Sequence, residues 1–214
     1  MYRVASDFRP SRRAFLAGSA TLLAATAITP AFASVSSFVD GVWSEAKARG
    51  VSRDIFESAL GDFRPMPKVM ELSQKQPEFT ITPSEYVEKR VTSARIDKGQ
   101  AEAGEWAETL AGVESRYGVQ SEAVLAIWGM ETNFGGYMGD MNTVHALATL
   151  VHGGYRTDFF RAELLTSLQI LQAGHVSAPN MIGSWAGAMG HTQFMPTSFM
   201  KYAVDYRGDG QKDI

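Results

Sequence analysis

One carboxylate stands near the end of an apolar stretch, in the segment Gly129-Met130-Glu131-Thr132-Asn133-Phe134-Gly135. Val124, Ile127 and Trp128 precede Glu131 by seven, four and three residues, so helical spacing places the glutamate on their apolar face. Burial on that face and the negative end of the helix dipole both disfavour a charged carboxylate, and we expect a raised pKa for Glu131. A carboxylic acid that keeps its proton near neutral pH can protonate the leaving oxygen of a glycosidic bond. The pattern therefore predicts a general acid at Glu131.

Other interpretations of the carboxylates in this region stay open. Glu131 is also compatible with an ordinary helical glutamate that turns outward or pairs with a cation such as Arg116, since perturbed carboxylates occur at structural positions too. A hydrolase of the lysozyme type needs a second carboxylate close to the scissile bond. Asp140 is the nearest candidate, but it precedes Asn142 and Thr143, where a helix is predicted to begin. We interpret Asp140 as a capping or loop residue.

A second segment, residues 182–200, loses helical periodicity. Its three glycines allow the backbone to approach a ligand closely; they are Gly183, Gly187 and Gly190. Polar Ser184 and Gln193 alternate with apolar side chains, which are Trp185, Met189 and Phe194. This mixture is typical of a sugar groove, in which polar groups bind hydroxyl and acetamido groups and apolar faces lie under the ring. The alternative is a glycine-rich turn of a small sheet whose aromatic residues belong to the core.

Together, the two segments resemble the membrane-bound lytic transglycosylase B family of peptidoglycan-cleaving enzymes, which have a lysozyme-like fold. The order of the Glu131 segment and the later Gly187-Ala188-Met189-Gly190-x-x-Gln193-Phe194-Met195-Pro196 carries the resemblance. The similarity extends over Pro77-Glu78-Phe79 to Arg95, Arg116-Tyr117-Gly118-Val119, Ala126-Ile127-Trp128, Ala146-Leu147-Ala148-Thr149-Leu150 and Tyr202-Ala203-Val204-Asp205. Thr132 stands where the family commonly has serine, which keeps a hydroxyl.

This resemblance implies that Glu131 is the single acid and base, and that Ser184, Met189, Gln193 and Phe194 bind the substrate. The implied reaction cleaves the β-1,4 bond between N-acetylmuramic acid and N-acetylglucosamine without net addition of water. Glu131 protonates the leaving oxygen, the substrate's acetamido group relieves the anomeric charge, and the muramoyl 6-hydroxyl then attacks, leaving a 1,6-anhydro end. No cofactor is expected. A lysozyme-type hydrolase and a non-catalytic peptidoglycan-binding or scaffold protein remain as alternatives.

Residues 1–33 are predicted to be a twin-arginine signal peptide. Ser11-Arg12-Arg13-Ala14-Phe15-Leu16 carries the arginine pair, the apolar run Ala14–Ile28 is short for a permanent span, and Ala31-Phe32-Ala33 is a cleavage signal. An N-terminal membrane anchor is the alternative. Cleavage after Ala33 predicts a periplasmic protein without a stable membrane anchor, whose lysozyme-like catalytic domain is residues 34–214.

Composition narrows the range of partners. The chain contains no cysteine, so no disulfide is expected despite export. Residues 1–33 carry four Arg and one Asp, and their removal changes the formal charge from −3 to −6. A negative protein lacks the basic footprint that nucleic acid requires. We therefore expect a monomer that binds peptidoglycan glycan strands, with other cell-wall enzymes as further candidate partners.

The expected fold class is mainly α, an α+β lysozyme-like helical bundle around a substrate groove with a small glycine-rich β segment. Helices are predicted over Phe38–Arg49, Ser52–Leu60, Pro67–Gln74, Pro83–Arg95, Gln100–Tyr117, Ser121–Phe134, Thr143–His152, Thr157–Ala173 and Pro196–Val204. The resemblance implies that the family's catalytic domain continues well beyond Ile214, so the chain is expected to be truncated at its C-terminus.

No metal site is predicted. His145 and His152 lie seven residues apart, which is about 10 Å along a helix and too far to share one ion. The sequence Asp205-x-Arg207-x-Asp209-Gly210-x-x-Asp213 resembles the start of a calcium loop, and some family members bind calcium here. Arg207 stands at the third ligand position, where a cation is unsuitable, so calcium is the less favoured interpretation.

Overall fold

The structure is a computed structural model that describes residues 34–75 and 82–214. Its helices are α1 (Val35–Ala48), α2 (Arg53–Leu60), α3 (Pro67–Ser73), α4 (Pro83–Arg90), α5 (Ser93–Glu105), α6 (Ala107–Tyr117), α7 (Ser121–Thr132), α8 (Thr143–His152), α9 (Thr157–Gln172) and α10 (Pro196–Tyr202). Two short strands accompany them, β1 (Met141–Asn142) and β2 (Ile182–Gly183). The mainly α prediction with a small β segment is confirmed. The predicted signal peptide and Pro77-Glu78-Phe79 lie outside the described residues.

Helices α8 and α9 form the centre of the core. Helix α8 is mostly apolar, and its side chains are almost all buried because α2, α3 and α9 pack around it. Helix α9 packs in turn against α1, α2 and α10. The largest fully buried side chains include Phe56, Phe63, Leu147 and Leu164. This core is the rigid base to which the loop before α8 and the segment before α10 are attached.

Hydrogen-bonded side chains set several helix starts. Thr82 and Glu85 form a capping box at α4, in which the Thr82 backbone N–H donates to Glu85 Oε2 at 2.8 Å. Thr92 Oγ1 accepts the Arg95 backbone N–H at 3.3 Å and starts α5. The predicted helices Pro83–Arg95 and Gln100–Tyr117 are therefore wrong in their bounds. Their periodic pattern hid a new helix start at Thr92 and a second break at Trp106, between α5 and α6.

Helices α4 to α7 are more exposed than the core helices. Neither α4 nor α5 contains a buried residue, α6 buries Leu110, and α7 buries Gly129 and Thr132. An apolar groove of about 520 Å³ runs between α5 and α7, lined in part by Ile96 and Leu125. None of the helices in residues 34–75 and 82–214 combines the length and apolar character needed to cross a bilayer.

The β segment connects the glycine-rich stretch to the loop before α8. Strand β1 pairs antiparallel with β2, with Met141 opposite Gly183. The chain folds back on itself through two antiparallel β-bridges, one between Gly183 and Met189 and one between Met189 and Phe194. We refer to residues 182–194 as the glycine-rich ribbon. The sequence predicted this β segment but missed β1, which is only two residues long.

Candidate active site

Glu131 lies in the last turn of α7, which ends at Thr132, before the predicted end at Phe134. Asn133, Phe134 and Gly135 then follow with φ angles of 52°, 57° and 72°. Left-handed backbone is uncommon for residues that carry a side chain, and two such residues precede the glycine here. The chain therefore turns sharply away from the helix directly after the glutamate.

Glu131 is exposed, and the prediction that it is buried on an apolar stripe is wrong. Helix α7 buries Gly129 and Thr132 instead. The ring of Phe134 folds onto Gly129 so closely that a Cβ there would lie 2.6 Å from Phe134 Cζ. On the supposed buried stripe, Ile127 is 53% exposed. The burial argument made for Glu131 from the sequence therefore does not hold.

The Glu131 carboxylate forms no hydrogen bond or ion pair with any residue in the ranges 34–75 and 82–214. Arg116, the cation considered as a partner from the sequence, lies over the ring of Tyr117 at 5.3 Å from its centroid. An exposed carboxylate without a protein partner in the described residues is accessible to a bound ligand.

Thr132 connects the glutamate turn to the glycine-rich ribbon. Its hydroxyl is buried, donates to the His191 carbonyl at 2.9 Å, and accepts the Gly135 backbone N–H at 3.0 Å. One side chain thus fixes both the turn that follows α7 and the position of the ribbon. Because Thr132 is the next residue after Glu131, these bonds place the carboxylate-bearing turn beside the ribbon.

Ser184 and Phe194 are half-buried residues on the ribbon. Ser184 Oγ accepts the Ala188 backbone N–H at 3.1 Å, and the Ser184 N–H donates to the Ala188 carbonyl at 2.7 Å. The backbone of Phe194 exchanges two hydrogen bonds with Met189, at 3.0 and 3.1 Å. These bonds give the ribbon a defined shape while leaving both side chains partly accessible.

Gln193 joins the ribbon to the loop that follows α7. Its Nε2 donates to the carbonyls of Met138 and Gly190 at 3.1 and 3.0 Å, and its φ angle is 50°. Both N–H groups of the amide are therefore used within the protein. The Gln193 Oε1 atom remains as an acceptor that can turn toward a ligand.

Met189 departs from the role expected of it. Its side chain is 1% exposed and belongs to the hydrophobic core, so this residue supports the ribbon from below. A direct substrate contact through Met189 stays a prediction that this burial does not support. The physical reason is the double bridge to Gly183 and Phe194, which turns the Met189 side chain inward.

Sequence reasoning assigned no site role to His191 and did not predict its contact with Trp128. The Trp128 indole Nε1–H donates to His191 Nδ1 at 2.8 Å, across 63 positions of sequence. Their types gave no local signal, because the contact depends on how the ribbon folds back onto α7. Together with Thr132, they form the link between the two segments that the sequence singled out.

Asp140 lies in the loop before β1, as predicted, and Asn142 is the residue that caps α8. Partial burial, the Asp140 charge and a hydrogen bond to Asp140 raise the pKa of Tyr137. Asp140 is thus engaged with a tyrosine of its own loop.

The residues of the calcium-loop resemblance do not fit a calcium ion in this arrangement. The Asp205 carboxylate accepts the backbone N–H groups of Gly208 and Gly210 at 2.6 and 2.8 Å, and these bonds, chiefly that from Gly210, lower its pKa. Arg207 pairs with Asp213 at 2.6 Å and with Asp209 at 3.5 Å. A guanidinium therefore already neutralises the carboxylates that a cation would need.

The histidines considered for a metal have other contacts. His145 Nε2 lies 3.0 Å from the Ala59 carbonyl, and the His152 ring packs against Phe38 with centroids 5.4 Å apart. Within the part of the chain that the structure describes, no group of three or more His, Asp or Glu side chains is arranged to hold a metal ion.

Comparisons with known proteins identify the family. A model of the transglycosylase SLT domain matches residues 34–214. The chain is 32% identical over 175 residues to membrane-bound lytic murein transglycosylase B of Escherichia coli K12, covering 77% of this chain and 48% of that protein. This relative confirms the resemblance seen in the two segments.

Solved structures of similar proteins have the same fold. SltB3 from Pseudomonas aeruginosa, in complex with NAG-NAM-pentapeptide, is 45% identical with a TM-score of 0.81, over 84% of this chain and 48% of that one. E. coli lytic transglycosylase Slt35, in complex with calcium, is 30% identical with a TM-score of 0.71, over 84% of this chain and 56% of that one. The chain spans about half the length of these relatives. On the match over residues 34–214 and these similarities, the chain belongs to the SLT-domain family of lytic transglycosylases.

Proposed function

We propose that this chain is a lytic transglycosylase that cleaves the β-1,4 bond between N-acetylmuramic acid and N-acetylglucosamine in peptidoglycan, leaving 1,6-anhydro ends. The observation that carries the proposal is the hydrogen bond from Thr132 Oγ1 to the His191 carbonyl at 2.9 Å. It holds the turn that carries an accessible Glu131 against the glycine-rich ribbon.

Glu131 acts as acid and then as base in the proposed reaction. In its acid form, Glu131 faces the glycosidic bond of a glycan strand that lies on the ribbon. Glu131 donates its proton to the bridging oxygen as the glycosidic bond breaks, and the substrate's acetamido group stabilises the anomeric carbon. The carboxylate then removes the proton of the muramoyl 6-hydroxyl, whose oxygen forms the new bond to that carbon. Water is neither consumed nor released.

Three ribbon residues bind the glycan in this proposal. The Ser184 hydroxyl and Gln193 Oε1 bond with hydroxyl or acetamido groups, and the Phe194 ring supplies an apolar face. Met189 contributes only by supporting the ribbon, since its side chain is 1% exposed. The P. aeruginosa relative has been crystallised with NAG-NAM-pentapeptide and with NAG-anhNAM-pentapeptide, which supports peptidoglycan fragments as the ligand class.

Export to the periplasm is part of the proposal. It rests on the arginine pair Arg12-Arg13 and the cleavage signal Ala31-Phe32-Ala33 in the sequence. Loss of residues 1–33 on secretion, detected by N-terminal sequencing of the periplasmic protein, tests this step. Retention in the cytoplasm with an intact N-terminus would contradict it.

The reaction is tested by incubating purified sacculi with the full chain and analysing the soluble products by mass spectrometry. We expect anhydro-muropeptides from the wild type and none from Glu131→Gln. Glu122→Gln is the matched control, because it removes another exposed charge, from the first turn of the same helix.

Two other outcomes identify the competing functions. Products with reducing muramic acid ends would identify a lysozyme-type hydrolase. Binding to sacculi without soluble products, unchanged by Glu131→Gln, would identify a non-catalytic binding or scaffold protein. The open groove between α5 and α7 is the observation that keeps this last candidate in the test.

A further inference from the structure

His191 forms two hydrogen bonds with α7, one on either side of Glu131. Its ring nitrogen Nδ1 accepts the Trp128 indole N–H at 2.8 Å, and its backbone carbonyl accepts the Thr132 hydroxyl at 2.9 Å. Trp128 precedes Glu131 by three residues and therefore lies on the neighbouring turn of the same helix face. Thr132 follows Glu131 directly. A single ribbon residue is thus attached to the helix around the glutamate.

The chemistry of the two rings determines the state of the imidazole. An indole N–H can only donate, so Nδ1 of His191 must carry a lone pair. In the neutral ring the proton is then on Nε2. This bond requires an acceptor at the Nδ1 position, which His191 provides and an apolar ring of similar size does not.

Both rings also lie against the turn that follows α7. The Trp128 ring makes edge contacts with Trp106 and Phe134, at centroid distances of 6.3 and 5.4 Å. The His191 ring lies against the backbone of Gly135, where a Cβ would be 2.6 Å from His191 Cε1. The bond between Trp128 and His191 therefore joins two rings that each contact the turn after Glu131.

We propose that His191 is a positioning residue that sets the distance between the glycine-rich ribbon and Glu131. The proposal rests on the proposed function and adds to it how the glycan-binding segment is held at the catalytic carboxylate. His191 itself transfers no proton in this account. Its acceptor nitrogen and its carbonyl fix the ribbon to α7, so that a sugar bound by Ser184, Gln193 and Phe194 meets Glu131 in a reactive geometry.

The first test compares two replacements of the imidazole. His191→Phe keeps a ring but removes the acceptor, whereas His191→Asn places an amide oxygen close to the Nδ1 position. We expect His191→Phe to lower kcat for release of anhydro-muropeptides about 10- to 100-fold with KM nearly unchanged, and His191→Asn to restore most of kcat. Glu122→Gln is the control, since Glu122 is an exposed residue in the first turn of α7, outside the ribbon.

The second test replaces Trp128, the donor of the hydrogen bond to His191. Trp128→Phe should reproduce the loss seen with His191→Phe, and the double variant should be no slower than either single variant, because both remove the same bond. The proposal is overturned if His191→Phe retains kcat, if His191→Asn falls as far as His191→Phe, or if the two losses multiply.

A measurement that needs no activity separates this proposal from the proposed function. The Met189 and Phe194 amides bond to each other's carbonyls within the ribbon, so their hydrogen exchange reports its opening. We expect exchange about tenfold faster in His191→Phe than in the wild type and in His191→Asn. Equal protection in all three proteins would overturn the positioning role. A wild type that releases no anhydro products would instead contradict the proposed function.

Discussion

Glu163 on α9 accepts both hydrogen-bond donors of Thr197 at the start of α10. The Thr197 backbone N–H donates to Oε2 at 2.9 Å and its hydroxyl donates to Oε1 at 2.7 Å. Glu163 is 2% exposed, so a buried carboxylate from one helix caps another. Helix α10 begins two residues after Phe194, and this cap therefore fixes the end of the glycine-rich ribbon to the core.

Replacing Glu163 with alanine is expected to destabilise the protein by about 1–3 kcal/mol, because two hydrogen bonds to a buried carboxylate are lost. Glu163→Gln is expected to cost less, since the amide keeps one acceptor oxygen but directs an NH₂ group at the other donor. Urea unfolding at neutral pH measures both changes. The control is Glu57→Gln, which breaks an exposed pair with Arg53 and is expected to change stability by less than about 0.5 kcal/mol. Equal effects of all three substitutions would contradict the capping role.

Thr132 is expected to tolerate serine but not valine. Valine has nearly the same shape but leaves the His191 carbonyl and the Gly135 N–H without their partner, which costs about 1–2 kcal/mol. Release of anhydro-muropeptides should fall with Thr132→Val and stay near the wild-type rate with Thr132→Ser. Urea unfolding and product analysis on the same samples check both expectations. A fully active valine variant would show that the bond to His191 is dispensable.

Calcium is expected to leave the melting temperature of the wild type unchanged, because Arg207 already supplies positive charge to Asp209 and Asp213. Arg207→Asn removes that charge and offers an oxygen at the third ligand position, so this variant is expected to gain a calcium-dependent increase of a few degrees. Calorimetry in CaCl₂ and in EGTA measures both proteins. An increase in the wild type would mean that Arg207 leaves the loop when calcium binds.

The stabilising effect of Glu45 is expected to depend on pH. The Arg161 guanidinium lowers the pKa of Glu45 mainly by hydrogen bonding, at 2.9 Å from Nε, against a smaller opposite effect of burial. A lowered folded-state pKa means that the stabilisation is complete above the unfolded value, near 4.3, and is lost as pH falls through the folded value. Because the Glu45 side chain is 44% exposed, we expect Glu45→Gln to cost no more than about 1 kcal/mol at pH 7.

This difference between wild type and Glu45→Gln should shrink as the pH is lowered from 5 toward 2. Urea unfolding along this series measures it, and added salt should reduce it at pH 7. A stability difference that grows toward low pH would contradict a lowered pKa of Glu45 in the folded state.

Much of the fold could be predicted from local signals. Helix α8 was predicted with its observed bounds, Thr143–His152, because an asparagine cap precedes a mostly apolar stretch. The break at Thr92 was missed, since a threonine cap inside a periodic stretch gives a weak signal against the longer pattern. Short strands such as β1 cannot be predicted from a periodic pattern of apolar residues, because two residues define no period.

The candidate site, too, could be predicted only in part from the sequence. The motif placed Glu131 at the end of a helix and grouped Ser184, Gln193 and Phe194 on one segment, as the structure has them. The predicted burial of Glu131 was wrong, because helical spacing identifies an apolar face but does not show whether another element covers that face. The hydrogen bond between Trp128 and His191 could not be predicted from the sequence either, since no pattern within either segment specifies a contact made across the fold.

The three left-handed residues after Glu131 have a consequence for how that glutamate is aimed. Asn133, Phe134 and Gly135 admit few alternative backbone arrangements, so the direction in which the helix end points is built into the main chain itself. An acid surrounded by water would ordinarily sample many directions. Here the freedom of the Glu131 carboxylate is confined to its own side-chain torsions. The same short turn that leaves the carboxylate open to solvent also holds the backbone of the helix end in place.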